Sequence, residues 1–369
     1  MPDTFCKFLN NGLVYNNNSD HFTVSPCCYF SKNYIIDTAG DAAKQLVQHK
    51  QKWLKEDFAK TCKLCIDAEK GGQYSYRQAS FDQINNDHDQ FAFLTIAVNK
   101  KCNLACASCD SHSSSFWYQE NARHNITQSN SITQLHVEDK QGAVTEKFLS
   151  TLSTQDLSNV TYVKFGGGEP IMSNTHEQIL TLLPHPEKTV IQYTSNFSLM
   201  PSNRVFDLWE KFKLVKWIAS LDGVSEQFEF LRWPYQWKNL EKFIEQAKTS
   251  VPGNVMFGTE HTINPLNVYY FDQFQSWFKQ NLGQNKHGDK SDFNIHVCSG
   301  VMGLEHTPPL LRQAVEKRYG ADHSVVVALQ QNPYSGTHEH MIRYLDQLDT
   351  WRSLDWRSIF PEVQEFFDA

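Results

Sequence analysis

Apolar residues recur along this chain in two rhythms. From residue 91 onward, short apolar runs of strand length occupy 91–98, 160–165, 190–194, 215–221, 255–263 and 293–298, and the stretches between them carry apolar residues at helical spacing. Strands alternating with helices predict parallel βα units around one sheet. The first 85 residues read differently. A helical pattern covers 38–59, with Leu46, Val47, Trp53, Leu54 and Phe58 as its apolar positions, and the Asn- and Asp-rich stretch 82–90 predicts a linker. The segment 121–158 is longer than a connection needs and includes the polar run 125–134, which predicts an insertion at the surface or a lid. Near the carboxyl end, Met341, Tyr344, Leu345, Leu348 and Trp351 fall at helical spacing and predict closing helices.

Composition changes this picture little. A chain of 369 residues can bury a substantial core, as one large domain with an appendage or as two domains. A net charge of −7 argues against a broad basic footprint for nucleic acid. No apolar run reaches the length of a membrane span, and the start Met-Pro-Asp-Thr-Phe-Cys-Lys lacks the layout of a signal peptide, so a cytoplasmic protein is expected. Cysteine changes the picture most. Eight of the nine cysteines lie within the first 109 residues, which in a cytosolic chain reads as metal binding rather than disulfide bonding.

Cys102, Cys106 and Cys109 form a Cys-x3-Cys-x2-Cys triplet directly after the first predicted strand. Three thiolates from one loop can hold three irons of a 4Fe-4S cubane and leave the fourth iron open to a small molecule. After the second predicted strand comes Gly166-Gly167-Gly168-Glu169-Pro170, where glycines let the backbone approach a ligand and a carboxylate can take an ammonium group. A zinc knuckle completed by His112 is the alternative for the triplet, but it gives no reason for the glycine-rich turn.

The two motifs together resemble the radical S-adenosylmethionine (SAM) enzymes. The resemblance implies an α/β fold, a partial (β/α)6 barrel over about residues 86–300, with cofactors at the carboxyl ends of its strands. It implies a SAM site made by the Gly167 and Gly168 backbone and Glu169 for the ammonium, Ser195 after the third strand, Ser220 of the Ser-x-Asp-Gly phrase, and Arg232 for the carboxylate. Asp222 reads either as a substrate contact or as a turn residue, and Thr262, Asn264 and Asn267 either as cavity lining or as an ordinary turn. Ser113, Ser114, Ser115 and Trp117 resemble a Ser-Ser-x-Trp phrase of the twitch-type group, and the serines also suit a helix start. Many relatives carry an aromatic residue where this chain has Ser108.

Cys6, the pair Cys27 and Cys28, and Cys62-x2-Cys65 form a second set. With the phrases Ser25-Pro26-Cys27-Cys28 and Cys62-Lys-Leu-Cys65-x3-Glu69-x-Gly71, they resemble the auxiliary-cluster modules of SPASM and twitch radical SAM proteins, here at the amino end over about 1–85. That resemblance implies Cys6, Cys27, Cys62 and Cys65 as ligands of a second, fully coordinated 4Fe-4S cluster, with Cys28 as rival to Cys27; four-cysteine zinc fits the spacing as well. It also implies a flavodoxin or ferredoxin as electron donor. The expected reaction is oxidation or crosslinking of a peptide or protein side chain, or alternatively dehydrogenation or epimerisation of a sugar, amino acid or nucleotide derivative. In the latter case Cys298, which strand alternation aligns with Asn294 and His296, is a candidate hydrogen-atom donor. Residues 301–369 are expected to close the fold.

Overall fold

The computed structural model describes residues 6–17, 22–28, 30, 34–36, 62–70, 75–83, 91–97, 99–126, 140–284 and 290–367. The predicted helix at 38–59, most of the predicted linker and residues 127–139 of the predicted insertion lie outside them.

Among the described residues nine strands form one sheet: β1 (Gly12–Asn17), β2 (Phe22–Ser25), β3 (Tyr34–Ile36), β4 (Phe93–Ala97), β5 (Tyr162–Gly166), β6 (Val190–Ser195), β7 (Leu214–Ser220), β8 (Val255–Ile263) and β9 (Asp292–Val297). Their order is β3-β2-β1-β4-β5-β6-β7-β8-β9. All six runs predicted as strands are β4 to β9, shifted by no more than two residues at either end. Each pairs parallel with the next, and helices cover the connections. The amino-terminal strands were not foreseen. β1 pairs parallel with β4 and β2 antiparallel with β1, so the cysteine-bearing segment extends the same sheet.

Register explains the alternation within β4 to β8. One row of partners runs Ile96, Phe165, Tyr193, Trp217 and Phe257, all buried. These side chains stack under the helices; Phe165 and Tyr193 lie 4.8 Å apart, Tyr193 and Trp209 5.1 Å, and Trp209 and Trp217 5.4 Å. Each such pair adds about 0.5–1.5 kcal/mol beyond its buried area. The neighbouring row on the other face runs Thr95, Lys164, Gln192, Lys216 and Met256. Parallel strands covered on both faces carry continuous apolar runs. Polar side chains at four of these five positions therefore mark a face that borders open space.

The helices Pro309–Tyr319, Ser324–Gln331 and Glu339–Arg352 pack as a second apolar cluster that also takes in Ala105, Ala107, Trp117 and Cys298. Met341, Leu345 and Leu348 are fully buried there. Among the described residues no helix is long and apolar enough to cross a membrane.

Candidate functional site

The triplet loop leaves the carboxyl end of β4 and is fastened on every side. Ser115 donates its backbone N–H to the Lys100 carbonyl at 2.9 Å, and its hydroxyl both accepts from the Cys102 N–H at 3.0 Å and donates to the Cys102 carbonyl at 3.1 Å. Ser114 caps the helix Ser115–Arg123, accepting from Phe116 and Trp117, and donates to the Leu104 carbonyl at 2.6 Å. The helix-start reading of these serines holds, and the cap binds the helix to the loop.

The glycine-rich turn after β5 meets that loop directly. Gly168 donates to the Asn99 carbonyl at 3.0 Å and Glu169 to the Lys101 carbonyl at 2.7 Å. A Cβ on Gly168 would stand 2.2 Å from the Lys101 carbonyl oxygen, so no other residue fits. Gly167 has φ +111, a conformation that only glycine adopts without strain. The close approach expected toward a ligand is, at Gly168, an approach to the cysteine loop itself.

Glu169 departs from expectation. It is 0% exposed, and its two oxygens accept from the backbone N–H of Ile171 at 3.2 Å and of Asn196 at 2.7 Å. Burial raises its pKa to about 7, with the amides of Asn196 and Ile171 and the Ser195 hydroxyl opposing. Both carboxylate oxygens are thus engaged by the fold. Ser195 is likewise buried, its hydroxyl accepting from the Phe197 N–H at 3.2 Å. Its neighbour Asn196, which the sequence did not single out, reaches the loop instead. Its Nδ2 donates to Asn103 Oδ1 at 2.9 Å and lies 3.8 Å from Cys102 Sγ.

Arg232 also differs from expectation. Its Nη2 pairs with Asp222 at 2.7 Å and its Nη1 donates to Cys106 Sγ at 3.6 Å, both groups being buried. Asp222 further accepts from the Thr262 N–H at 2.8 Å. The carboxylate partner of Arg232 is thus a residue of this chain, and Asp222 has an anchoring role. Asn264 and Asn267 are buried and bonded within the turn, Asn267 donating to the Asp222 and Thr262 carbonyls at 2.8 and 2.9 Å, so the ordinary-turn reading holds. Ser220 ends β7 and is partly exposed.

The three thiols lie within electrostatic reach of one another. Burial first, and the neighbouring Cys106 sulfur second, push Cys102 up to about 11 and Cys109 up to about 12; burial also raises Cys106, against the pull of Arg232. Such thiols ionise when a cation takes their charge. Two N–H donors already aimed at sulfur, from Arg232 and Asn196, suit a bound thiolate set. His112, the zinc alternative's fourth ligand, has a side chain 64% exposed beside Asp110. Among the described residues no three His, Cys, Asp or Glu side chains stand close enough to clasp a single metal ion.

In the amino-terminal set, Cys6 and Cys62 belong to one buried cluster, Cys27 packs against it, and Cys28 is exposed. Cys65 is buried, and burial raises its pKa. Glu69, from the same sequence phrase, binds Arg77 through 2.8 and 2.6 Å contacts and ties the two helices Lys63–Lys70 and Tyr76–Gln83 together.

Sequence reasoning missed the polar face. A cavity of about 860 Å³ is lined by Tyr162, Lys164, Gln192, Glu260 and His296, with Cys65 also on its wall. Lys164 Nζ and His296 Nε2 approach one oxygen of Glu260 at 3.1 and 3.6 Å. Burial acts to raise Glu260, but His296 and Lys164 outweigh it and hold it at about 2. Tyr162 donates to Gln192. The signal was present: lysine and glutamate inside strand-like runs. Cys298 stands apart from this cavity's lining, buried with the carboxyl-terminal cluster, its pKa pushed by burial up to about 12.

No protein-family model and no curated protein matches the chain. Among solved structures it is similar to SuiB of Streptococcus suis bound to S-adenosylmethionine, at 12% identity over 78% of this chain and 51% of that one, with a TM-score of 0.36. It is similar to anSMEcpe with bound AdoMet, at 17% identity over 66% of this chain and 62% of that one, TM-score 0.39. A further structure of Streptococcus suis SuiB gives 12% identity over 83% and 67%, TM-score 0.36. This chain spans about half the length of the first of these proteins.

Proposed function

We propose that this protein is a radical SAM enzyme, with a 4Fe-4S cluster on Cys102, Cys106 and Cys109 and SAM on its open iron. The observation that carries the reading is the docking of a three-thiol loop onto a glycine-rich turn at the carboxyl ends of adjacent parallel strands, with Gly168 against Lys101. Barrel enzymes place their chemistry at that end. When bound, such a cluster would supply one electron for cleavage of SAM to methionine and a 5'-deoxyadenosyl radical able to take a hydrogen atom from unactivated carbon.

The chain's own residues do the rest. Asn196 and Arg232 direct N–H groups at the Cys102 and Cys106 sulfurs and ease the burial of thiolate charge. Glu169 fixes the turn that follows β5 so that the Gly167 and Gly168 backbone, together with Ser220, borders the cofactor. We read the sheet as a partial (β/α)6 barrel whose lumen is the 860 Å³ cavity. Its lining runs from Phe93 of β4 to His296 of β9 and supports that reading, because those strands would lie about 24 Å apart in a flat sheet. A cavity of this size suits one substrate group.

Cys6, Cys27, Cys62 and Cys65 are assigned to an auxiliary 4Fe-4S cluster, and the exposure of Cys28 favours Cys27 as the fourth ligand. Because Cys65 borders the cavity, an electron acceptor there would adjoin the substrate, which favours oxidation or crosslinking of a peptide or protein side chain. Lys164, Glu260 and His296 on the same wall favour the second reading, a charged small molecule. A flavodoxin or ferredoxin is the matching electron donor. The test is 5'-deoxyadenosine formation from SAM and a strong reductant after anaerobic reconstitution. Cys102→Ala, Cys106→Ala and Cys109→Ala should each abolish it, and undiminished product from any of the three would defeat the assignment.

A further inference from the structure

The backbone at 105–107, around the second cysteine of the loop, is held through both its N–H and its carbonyl groups. Ala105 and Ala107 donate to the carbonyls of Trp233 and Leu231 at 2.7 and 2.9 Å. Three successive carbonyls of the segment each accept from a side chain. Arg352 Nη2 donates to Ala105 at 2.9 Å, Trp117 Nε1 to Cys106 at 2.8 Å, and the Tyr344 hydroxyl to Ala107 at 2.8 Å. Tyr344 and Arg352 belong to the helix Glu339–Arg352, more than 230 residues further along the chain.

Arg352 is itself positioned by Glu120, through contacts of 3.0 and 2.7 Å, and lies over the Trp117 ring at 4.9 Å. The side chains of the pair are 0% and 6% exposed. A buried ion pair is a poor way to gain stability, since apolar residues of similar volume often hold elements together as well. It is a good way to fix one geometry. Here the fixed group is the backbone that carries Cys106.

We propose that Tyr344 and Arg352, together with Trp117, are positioning residues that lock the segment 105–107 and so make the carboxyl-terminal helix a determinant of cluster retention. The proposal rests on the cluster reading above. Iron leaves a buried loop through its transient opening, so each lost carbonyl bond raises the open population and the rate of release.

The experiment follows iron release from the reconstituted full chain into the chelator bathophenanthroline disulfonate, with the Cys102→Ala chain run in parallel. The phase that Cys102→Ala removes belongs to the loop. Tyr344→Phe deletes one hydroxyl and should speed that phase about fivefold, the factor carried by one ordinary hydrogen bond. Arg352→Lys, which keeps a cation beside Glu120 but loses the planar fork, should speed it at least as much. The remaining phase should keep its rate, and the melting temperature of the iron-free Tyr344→Phe chain should move by no more than about 2 °C. Wild-type release rates in both variants would overturn the proposal. So would equal acceleration of both phases, which would mark a general loss of structure. If the wild-type chain has no phase that Cys102→Ala removes, the cluster reading itself fails, and the clamp with it.

Discussion

Glu169→Gln separates a carboxylate that anchors the fold from one that awaits a ligand. The wild-type side chain is fully buried, accepts two backbone N–H groups, and has its pKa raised by burial from 4.5 to about 7. The folded chain therefore holds this proton more tightly than the unfolded chain. Stability from this group is fully present below pH 4.5 and is lost as the pH rises through about 7. The rise corresponds to about 3 kcal/mol. Glutamine is neutral at every pH, but its NH2 cannot accept from an amide as the hydroxyl oxygen of the protonated acid can, at a cost of about 1–3 kcal/mol. The variant should thus be less stable than wild type at pH 5, and the gap should narrow by up to about 3 kcal/mol by pH 8. Urea unfolding of the iron-free chain at four pH values between 5 and 8 measures this. A gap that stays constant, or widens with pH, would refute the reasoning.

Arg232→Met leaves Asp222 buried without its cation and should lower stability by about 3–5 kcal/mol in the same assay; a change below 1 kcal/mol would show that Asp222 is satisfied by the Thr262 amide alone. The reconstituted chain should carry about eight irons, and the Cys62→Ala/Cys65→Ala chain about four; one zinc in the amino-terminal region of the wild type would contradict this. Cys298→Ala should leave both SAM cleavage and substrate conversion at wild-type rates, as expected of a packing residue. Conversion that stops while 5'-deoxyadenosine continues to form would make that thiol a hydrogen-atom donor and favour an epimerisation.

Periodicity alone located all six strands β4 to β9, because alternation of apolar and polar positions is a local consequence of which sheet face meets the helices. The short strand β1 escaped it. Gly12–Asn17 has three apolar residues among six and becomes a strand by pairing with β4, a contact about eighty residues away. The cysteine triplet and the glycine-rich turn were likewise legible, since both depend on spacing within one loop.

Which polar group faces which was decided only in three dimensions. Glu169, Ser195 and Arg232 look in sequence like free hands at strand ends, yet their partners are Ile171, Asn196, Phe197, Asp222 and Cys106. Asn196, Lys164, Glu260 and the Tyr344–Arg352 clamp owe their places to contacts spanning 93 to 247 residues. Local spacing carries the side chain's chemistry and its face of an element. Its partner is set by the packing of distant elements, because a buried polar group must bond to whatever the fold brings within about 3 Å.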